Sequence, residues 1–284
     1  MKSLVRWSTS HLLVGGTLVA SILGGNLTAL ALTDEQIVKV LDAAPVYLIV
    51  NEQGSPLSRT LQGQNAQNAG AVTQVFMSRQ EAQAFLTQLQ SRANSDPKMK
   101  EMLRNVQVSA VPMGAIYKQV RQTANQSNRL VFAFKPVQQE VDGAMKLLRQ
   151  TGQKVEEFRG VPVFLVRFGP DKGYVPIKLP QENKEFIPMF LSKEDAMGVL
   201  NQVKQKFPAA DIQVVDVDGI IQTLQAKNED WLKQVVLVPS PESRAYIRTI
   251  SGAGNAPPQG RANQNQPRPT GTSAQPAAPR RPQR

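Results

Sequence analysis

One feature of this chain constrains its fold more than any other: the second half repeats the first. The matching segments are residues 76–82 (FMSRQEA) with 190–196 (FLSKEDA), 44–50 (APVYLIV) with 161–166 (VPVFLV), and 106–108 with 212–214. A spacing near 110 residues is too long for a solenoid, whose repeats are about 20–50 residues long. We therefore expect two copies of one module, packed about a pseudo-two-fold axis, with a ligand site at the seam between them.

The two halves also share their helix signals. Ser78 and Ser192 each precede an amphipathic stripe, and Glu81 and Asp195 stand three positions further on. A serine followed at the third position by an acid is typical of a helix N-terminus. The sequence therefore predicts a capped helix at the same place in each half.

The remaining patterns predict the order β-β-β-α-β-α-β in each half. Apolar branched runs predict strands, and the turn residues 51–56 predict a hairpin. Residues 94–105, which include an Asp-Pro pair, are expected to form an insertion or a mobile loop. The fold class is therefore α+β, with two tandem, pseudo-two-fold-related lobes of mixed sheet plus helices, at 32–136 and 137–251.

Both ends of the chain differ in composition from this body. Residues 1–31 combine Lys2 and Arg6 with an apolar stretch and an Ala-Leu-Ala site, which is typical of a cleaved signal peptide. An uncleaved membrane anchor is the alternative. Residues 252–284 are rich in Pro, Gln and Arg, with almost no large apolar side chains, so they are expected to be a disordered tail. The mature protein is expected to be exported, with no integral membrane span after signal removal.

The amino-acid composition excludes several kinds of catalytic and metal-binding chemistry. The chain has no cysteine, and its single histidine, His11, lies in the predicted signal peptide. Thiol catalysis, imidazole general bases and the common zinc ligands are therefore absent from the mature sequence. We expect a protein that is not an enzyme, with no catalytic residue, no metal site and no cofactor.

Asp216 and Asp218 are the most tempting carboxylate pair, because residues two apart in a strand face the same side. Such a pair can bind a hard cation or share a proton. The favoured interpretation is a strand end followed by a turn and a helix N-terminus. The corresponding positions of the first half are taken to be Ala110 and Pro112, which cannot bind a cation.

The formal charge of +11 overstates how basic the folded body is. Five arginines lie in the tail and two cations in the signal, so the body retains only +4. A nucleic-acid surface needs clustered basic residues interleaved with aromatic ones, and this pattern is weak here. We expect no nucleic-acid partner.

A groove for an apolar polypeptide is the remaining candidate site. Its lining residues are predicted to be Met113, Tyr117, Phe132 and Phe134. Each of these residues could equally belong to the ordinary core. The duplication favours a groove, because two half-cores that meet at a seam tend to leave one, and methionine adapts to varied apolar partners.

The repeated strand motifs VYLIV and VFLV and the repeated Phe-x-Ser-[Arg/Lys] segments at Phe76 and Phe190 resemble the Tic twenty-two family. The resemblance covers about 32–250, and the bacterial-type signal is similar to the cyanobacterial branch. It implies a two-lobed protein with apolar grooves, located in the periplasm, with a thylakoid-lumen pool left open. It also implies partners: unfolded precursor proteins and an outer-membrane barrel-assembly protein with POTRA domains.

The sequence supports two hypotheses of different class. The first is an exported, non-enzymatic chaperone or protein-transport factor that binds unfolded precursors and supports outer-membrane biogenesis. The second is a structural or adaptor protein of the cell envelope, tethered by its basic tail.

Overall fold

The structure is a computed structural model, and it describes residues 31–60, 71–126, 130–178, 184–226 and 229–253. The strands of this part are β1 Pro45–Val50, β2 Ser58–Thr60, β3 Ala71–Phe76, β4 Gln107–Pro112, β5 Leu130–Lys135, β6 Pro162–Arg167, β7 Ile177–Lys178, β8 Glu185–Phe190, β9 Asp211–Asp216 and β10 Val235–Val238. The helices are α1 Asp34–Leu41, α2 Arg79–Ala93, α3 Pro97–Met102, α4 Met113–Thr123, α5 Gln138–Gln150, α6 Lys193–Lys204, α7 Val217–Ala226 and α8 Pro241–Ala253, with a 3-10 helix at Asp230–Gln234. Residues 1–30 of the predicted signal peptide (1–31) and residues 254–284 of the predicted tail (252–284) lie outside the described residues, and residues 252 and 253 end α8.

The strands form two mixed sheets with the same topology. In the first lobe β1 is antiparallel to both β3 and β4, and β3 also pairs with the antiparallel β2 and the parallel β5. In the second lobe β6, β8, β9, β7 and β10 take the corresponding places. The predicted α+β fold with two tandem, related lobes is confirmed.

The central strand of each sheet is buried on both faces, which explains its unbroken apolar sequence. In β1, Val46, Leu48 and Val50 face the interior of the molecule, whereas Tyr47 and Ile49 face the outer helix α2. The strand β6 repeats this arrangement, with its outer side chains under α5 and α6.

The inner faces of both lobes contribute to one apolar core. Val46 and Leu48 of β1 belong to the same cluster as Val163 and Leu165 of β6. The helices α1, α4 and α7 add their apolar faces to it. Because this core is shared, neither lobe buries its inner sheet face alone.

With α5 counted as the end of the first repeat, as α8 ends the second, each repeat ends in a helix that packs against the other lobe. Glu140 of α5 accepts a hydrogen bond from the main-chain N–H of Lys193 at the start of α6, at 2.7 Å. Glu242 of α8 accepts one from the N–H of Gln80 at the start of α2, at 2.8 Å. The lobes are thus joined by a reciprocal exchange of helices.

The predicted caps are present in the structure. The hydroxyls of Ser78 and Ser192 accept hydrogen bonds from the third helical N–H of α2 and α6, at 3.1 and 3.4 Å. The predicted hairpin turn is also confirmed, since the carboxamide oxygen of Asn51 accepts hydrogen bonds from Gln53 N and Ser55 N.

Three features of the structure differ from what the sequence predicts. Residues 94–105 are not only a loop, because Asp96 caps the short helix α3, in which Pro97 occupies the first turn. The helix α8 was missed, although Ser240, Pro241 and Ser243 carry a cap signal: the hydroxyl of Ser240 accepts a hydrogen bond from Ser243 N at 3.2 Å.

The third difference concerns the register between the repeats. Pro45 pairs with Pro112, and Pro162 pairs with Asp216. Asp216 therefore corresponds to Pro112 and not to Ala110, and the match of 106–108 with 212–214 is displaced by two residues. A strand pattern has period two, so a shift of two residues keeps every side chain on its face and leaves no signal in the sequence.

Candidate functional site

In the part of the chain that the structure describes, the closing strand of the first lobe, β5, has one edge without a strand partner, which we call its open edge. Among the described strands β5 pairs with β3 alone. Val131 is 36% exposed and Ala133 is also exposed, while Phe132 and Phe134 are half-buried against the shared core. The strand thus combines an unpaired edge with apolar side chains on both faces.

The direction of the main-chain groups of β5 follows from one hydrogen bond. The N–H of Met77 donates to the carbonyl oxygen of Lys135 at 3.2 Å, so the main chain of Lys135 faces β3. Main-chain groups of successive residues alternate between the two edges of a strand. Those of Phe132 and Phe134 therefore point to the open edge, where they can pair with another extended chain.

The structure separates the four predicted groove residues into two pairs. Met113 and Tyr117 of α4 are 1% and 7% exposed, and both belong to the shared core. Phe132 and Phe134 lie on β5, with part of each side chain at the surface. Only the second pair is accessible to a polypeptide in this conformation, and a binding role for any of the four stays a prediction.

The corresponding strand of the second lobe, β10, is better covered. Val235 and Leu237 are both 4% exposed. The helix α1 packs against β10, and the preceding 3-10 helix packs against β8 and places Leu232 in the shared core. The helix α4 packs against β5 in turn, and β10, like β5, pairs with a single described strand, β8. The two closing strands therefore differ in the exposure of their side chains and not in the number of their strand partners.

A polar cluster ties α1 to α4 and α7 beside this core. The hydroxyl of Tyr117 donates to the carboxylate of Asp34 at 2.5 Å and accepts from the carboxamide of Gln225 at 2.9 Å. Arg121 pairs with Asp34 at 3.3 Å. The hydrogen bond from Tyr117 lowers the pKa of Asp34, and burial raises the pKa of the Tyr117 phenol. These two hydrogen bonds and the ion pair hold α1 against α4 and α7, which is a structural role.

The seam between the lobes is a shallow cleft. Its lining comes from both repeats: Pro45, Met77, Val137, Glu140, Val161, Pro162, Leu191, Ser240 and Ser243. Burial raises the pKa of the Glu140 carboxyl above its ordinary value. The Glu140 carboxylate accepts the hydrogen bond from Lys193 N that caps α6, and this structural role explains its position. The cleft itself is too shallow to enclose a ligand.

Of the two carboxylates Asp216 and Asp218, Asp216 has a structural role. Asp216 ends β9 and accepts a hydrogen bond from Gly219 N at 2.5 Å, which caps α7. Asp218 lies in the first turn of α7 and not in the strand, so the two residues do not share a strand face. In the part of the chain that the structure describes, no group of three His, Cys, Asp or Glu residues is placed to hold a metal ion.

None of the described helices is both long and apolar enough to cross a membrane. Glu157 and Arg159 form an exposed ion pair at 2.7 Å. Pairs of this kind contribute little to stability and suggest no catalytic arrangement.

Comparison with known proteins agrees with this architecture. The sequence profile of the Tic22-like family matches residues 16–249. The solved structure of Anabaena Tic22, described as a protein-transport protein, is similar to this one with a TM-score of 0.74. The two sequences are 59% identical, and the match covers 77% of this chain and 97% of the Anabaena chain. Tic22 from Plasmodium falciparum has the same fold, with a TM-score of 0.55 and 20% identity over 76% and 98% of the two chains.

The chain belongs to the Tic22-like family. A plant relative, the chloroplastic TIC 22-like protein of Arabidopsis thaliana, is 23% identical over 217 residues, which are 73% of this chain. The match spans 61% of the length of the Arabidopsis protein. The predicted family resemblance is thus confirmed.

Proposed function

We propose that this protein is an exported, non-enzymatic transport factor that binds unfolded precursor polypeptides at the open edge of β5. The observation that carries the proposal is this edge, whose outward main-chain groups and apolar side chains belong to one strand. Membership of a family with a protein-transport member supports the same class of function. The location is the periplasm, and the transport supports outer-membrane biogenesis with a barrel-assembly protein that carries POTRA domains.

The chemistry of β5 suits an extended and sequence-diverse partner. Strand addition takes its affinity from main-chain hydrogen bonds, which every polypeptide offers, and its preference from alternate side chains. The half-buried Phe132 and Phe134 provide apolar contacts on one face, and Val131 and Ala133 provide them on the other. Unfolded barrel proteins alternate apolar and polar residues along each strand, so one side of such a segment complements this edge.

The competing proposal is an envelope adaptor held by the basic tail. Binding of unfolded polypeptide distinguishes the two, because an adaptor needs only folded partners. The decisive experiment measures the anisotropy of a labelled outer-membrane barrel protein, diluted from urea into increasing concentrations of the protein without residues 1–31. We expect saturable binding in the micromolar range and less light scattering from the aggregating client.

A folded form of the same barrel protein, reconstituted in detergent, is the matched control and should not bind. If neither form binds at micromolar concentration, the transport proposal fails. If both forms bind equally and binding disappears when residues 254–284 are deleted, the adaptor proposal is favoured.

A further inference from the structure

An aromatic pair lies at the surface where two turns of the second lobe meet. Phe168 directly follows β6, and Phe207 follows α6. Their ring centroids are 4.8 Å apart with the rings at 63°, and Phe207 remains 46% exposed. The second ring fixes the orientation of the exposed Phe207 side chain, so its apolar surface is presented in one position.

Three lysines lie close to this pair in the sequence. Lys204 and Lys206 lie on the same turn as Phe207, Lys172 lies on the turn after Phe168, and all three are exposed. In the described part of the chain these lysines form no ion pair within 4.0 Å of a carboxylate. We call Phe168, Lys172, Lys204, Lys206 and Phe207 the second-lobe tip.

Hydrogen bonds from Arg167 anchor the turn that follows β6, which carries Phe168 and Lys172. Arg167 donates from Nε and one terminal nitrogen to the carboxylate of Asp211, at 3.0 and 2.6 Å, and from the other terminal nitrogen to the carbonyl of Pro170 at 2.8 Å. The planar guanidinium makes such a bidentate pair directional. The cations of the tip are therefore presented on a fixed turn, while Arg167 itself is occupied.

We propose that the second-lobe tip docks the protein on an anionic lipid bilayer, with Phe207 in the headgroup region and the lysines on lipid phosphates. Aromatic side chains favour the membrane interface, and lysines extend their apolar stems while keeping the ammonium at the surface. The positive charge of the three lysines complements the phosphates of an anionic bilayer. This inference is independent of the β5 site.

Vesicle binding of the protein without residues 1–31 tests the proposal. The probe is a set of large vesicles of phosphatidylcholine with or without phosphatidylglycerol. Lys204→Gln with Lys206→Gln should weaken partitioning into the anionic vesicles by about 25-fold, since each lysine near an anionic surface contributes about 1 kcal/mol, or about fivefold. Vesicles without phosphatidylglycerol should bind weakly and equally to both proteins.

Insertion is measured separately with Phe207→Trp. On anionic vesicles its emission should shift to the blue and be quenched by lipids brominated in the upper acyl chain. The first lobe supplies a matched control, because Met102 is 59% exposed on α3 close in sequence to Lys98 and Lys100. Met102→Trp should not be quenched, and Lys98→Gln with Lys100→Gln should change partitioning much less than the tip pair.

Three results would overturn the proposal. The first is equal loss of binding for the two lysine pairs, which indicates a diffuse charge effect. The second is vesicle binding that disappears when residues 254–284 are deleted, with no quenching of Phe207→Trp. The third is binding of the tip to a soluble polyglutamate peptide but not to vesicles, which assigns the surface to an acidic protein.

Discussion

The two closing strands, β5 and β10, hold the same place in a duplicated fold and yet have different surroundings. The strand β5 follows α4, and β10 follows α7 and the 3-10 helix; each pairs in parallel with the strand that precedes the capped helix. In β10, Val235 and Leu237 are buried, whereas in β5 Val131 is 36% exposed and both phenylalanines are half-buried. The added helix α1 packs against β10. The helix α4 packs against β5, and each closing strand pairs with a single described strand. Duplication thus sets the scaffold, and the two closing strands differ in how far their side chains are exposed.

The largest expected effect is on stability. Leu237→Ala should lower the free energy of unfolding by about 2–5 kcal/mol, because a fully buried leucine leaves a cavity in the shared core. Phe134→Ala should cost less, about 1–2 kcal/mol, since only part of its surface is buried. Urea denaturation of both variants provides the comparison, and equal costs would show that β5 is as well packed as β10.

The two serine caps should behave alike, because the lobes share this feature. Ser78→Ala and Ser192→Ala should each destabilise the protein by about 0.5–2 kcal/mol. Thermal melting with a denaturant series at fixed temperature measures both. A neutral result at one serine would mean that the carboxylate from the exchanged helix, Glu242 or Glu140, suffices to cap that lobe.

A smaller effect is expected on client affinity. Phe132→Pro removes the outward N–H of β5, whereas Phe132→Val keeps it and remains apolar. The proline variant should bind unfolded client about 2- to 13-fold more weakly than the valine variant, the range for loss of one hydrogen bond worth about 0.5–1.5 kcal/mol. Anisotropy titration measures the difference. If the two variants bind equally, strand addition at β5 is not the mode of binding.

The smallest effect is a pH dependence confined to the second lobe. Burial raises the pKa of Glu140, so between about 4.3, the ordinary value, and its higher native value the folded protein holds more protons than the unfolded chain. Stability therefore falls as pH rises through this window. Glu140→Gln removes the titration and should lose less stability between about pH 4 and about pH 8. Parallel pH profiles for variant and wild type, from urea unfolding, would contradict this.

Much of the fold was predictable because it rests on local signals. The caps at Ser78 and Ser192, the turn at Asn51 and the apolar runs of β1 and β6 are each set within a few residues. Their recurrence made the two-lobed architecture visible without a structure. The helix α8 had a local signal as well, in Ser240 and Pro241, and could have been found.

The site was less predictable, because exposure depends on distant elements. Nothing in the sequence of β5 or β10 states that α1 packs against the second lobe. Met113 and Phe134 have similar hydropathy, yet one is buried in the shared core and the other reaches the surface. The exchange of α5 and α8 between lobes is likewise a long-range result that periodicity does not encode.

Site-specific photo-crosslinking tests the central claim most directly. A benzophenone side chain is placed at Val131 of β5 or at Val236 of β10, positions on matching strands, and the protein is irradiated with labelled, unfolded outer-membrane barrel protein. We predict a strong crosslink from position 131, little from position 236, and loss of the first when unlabelled unfolded client competes. Equal crosslinking from both strands, or crosslinking from position 236 alone, would contradict the assignment of client binding to the open edge of β5.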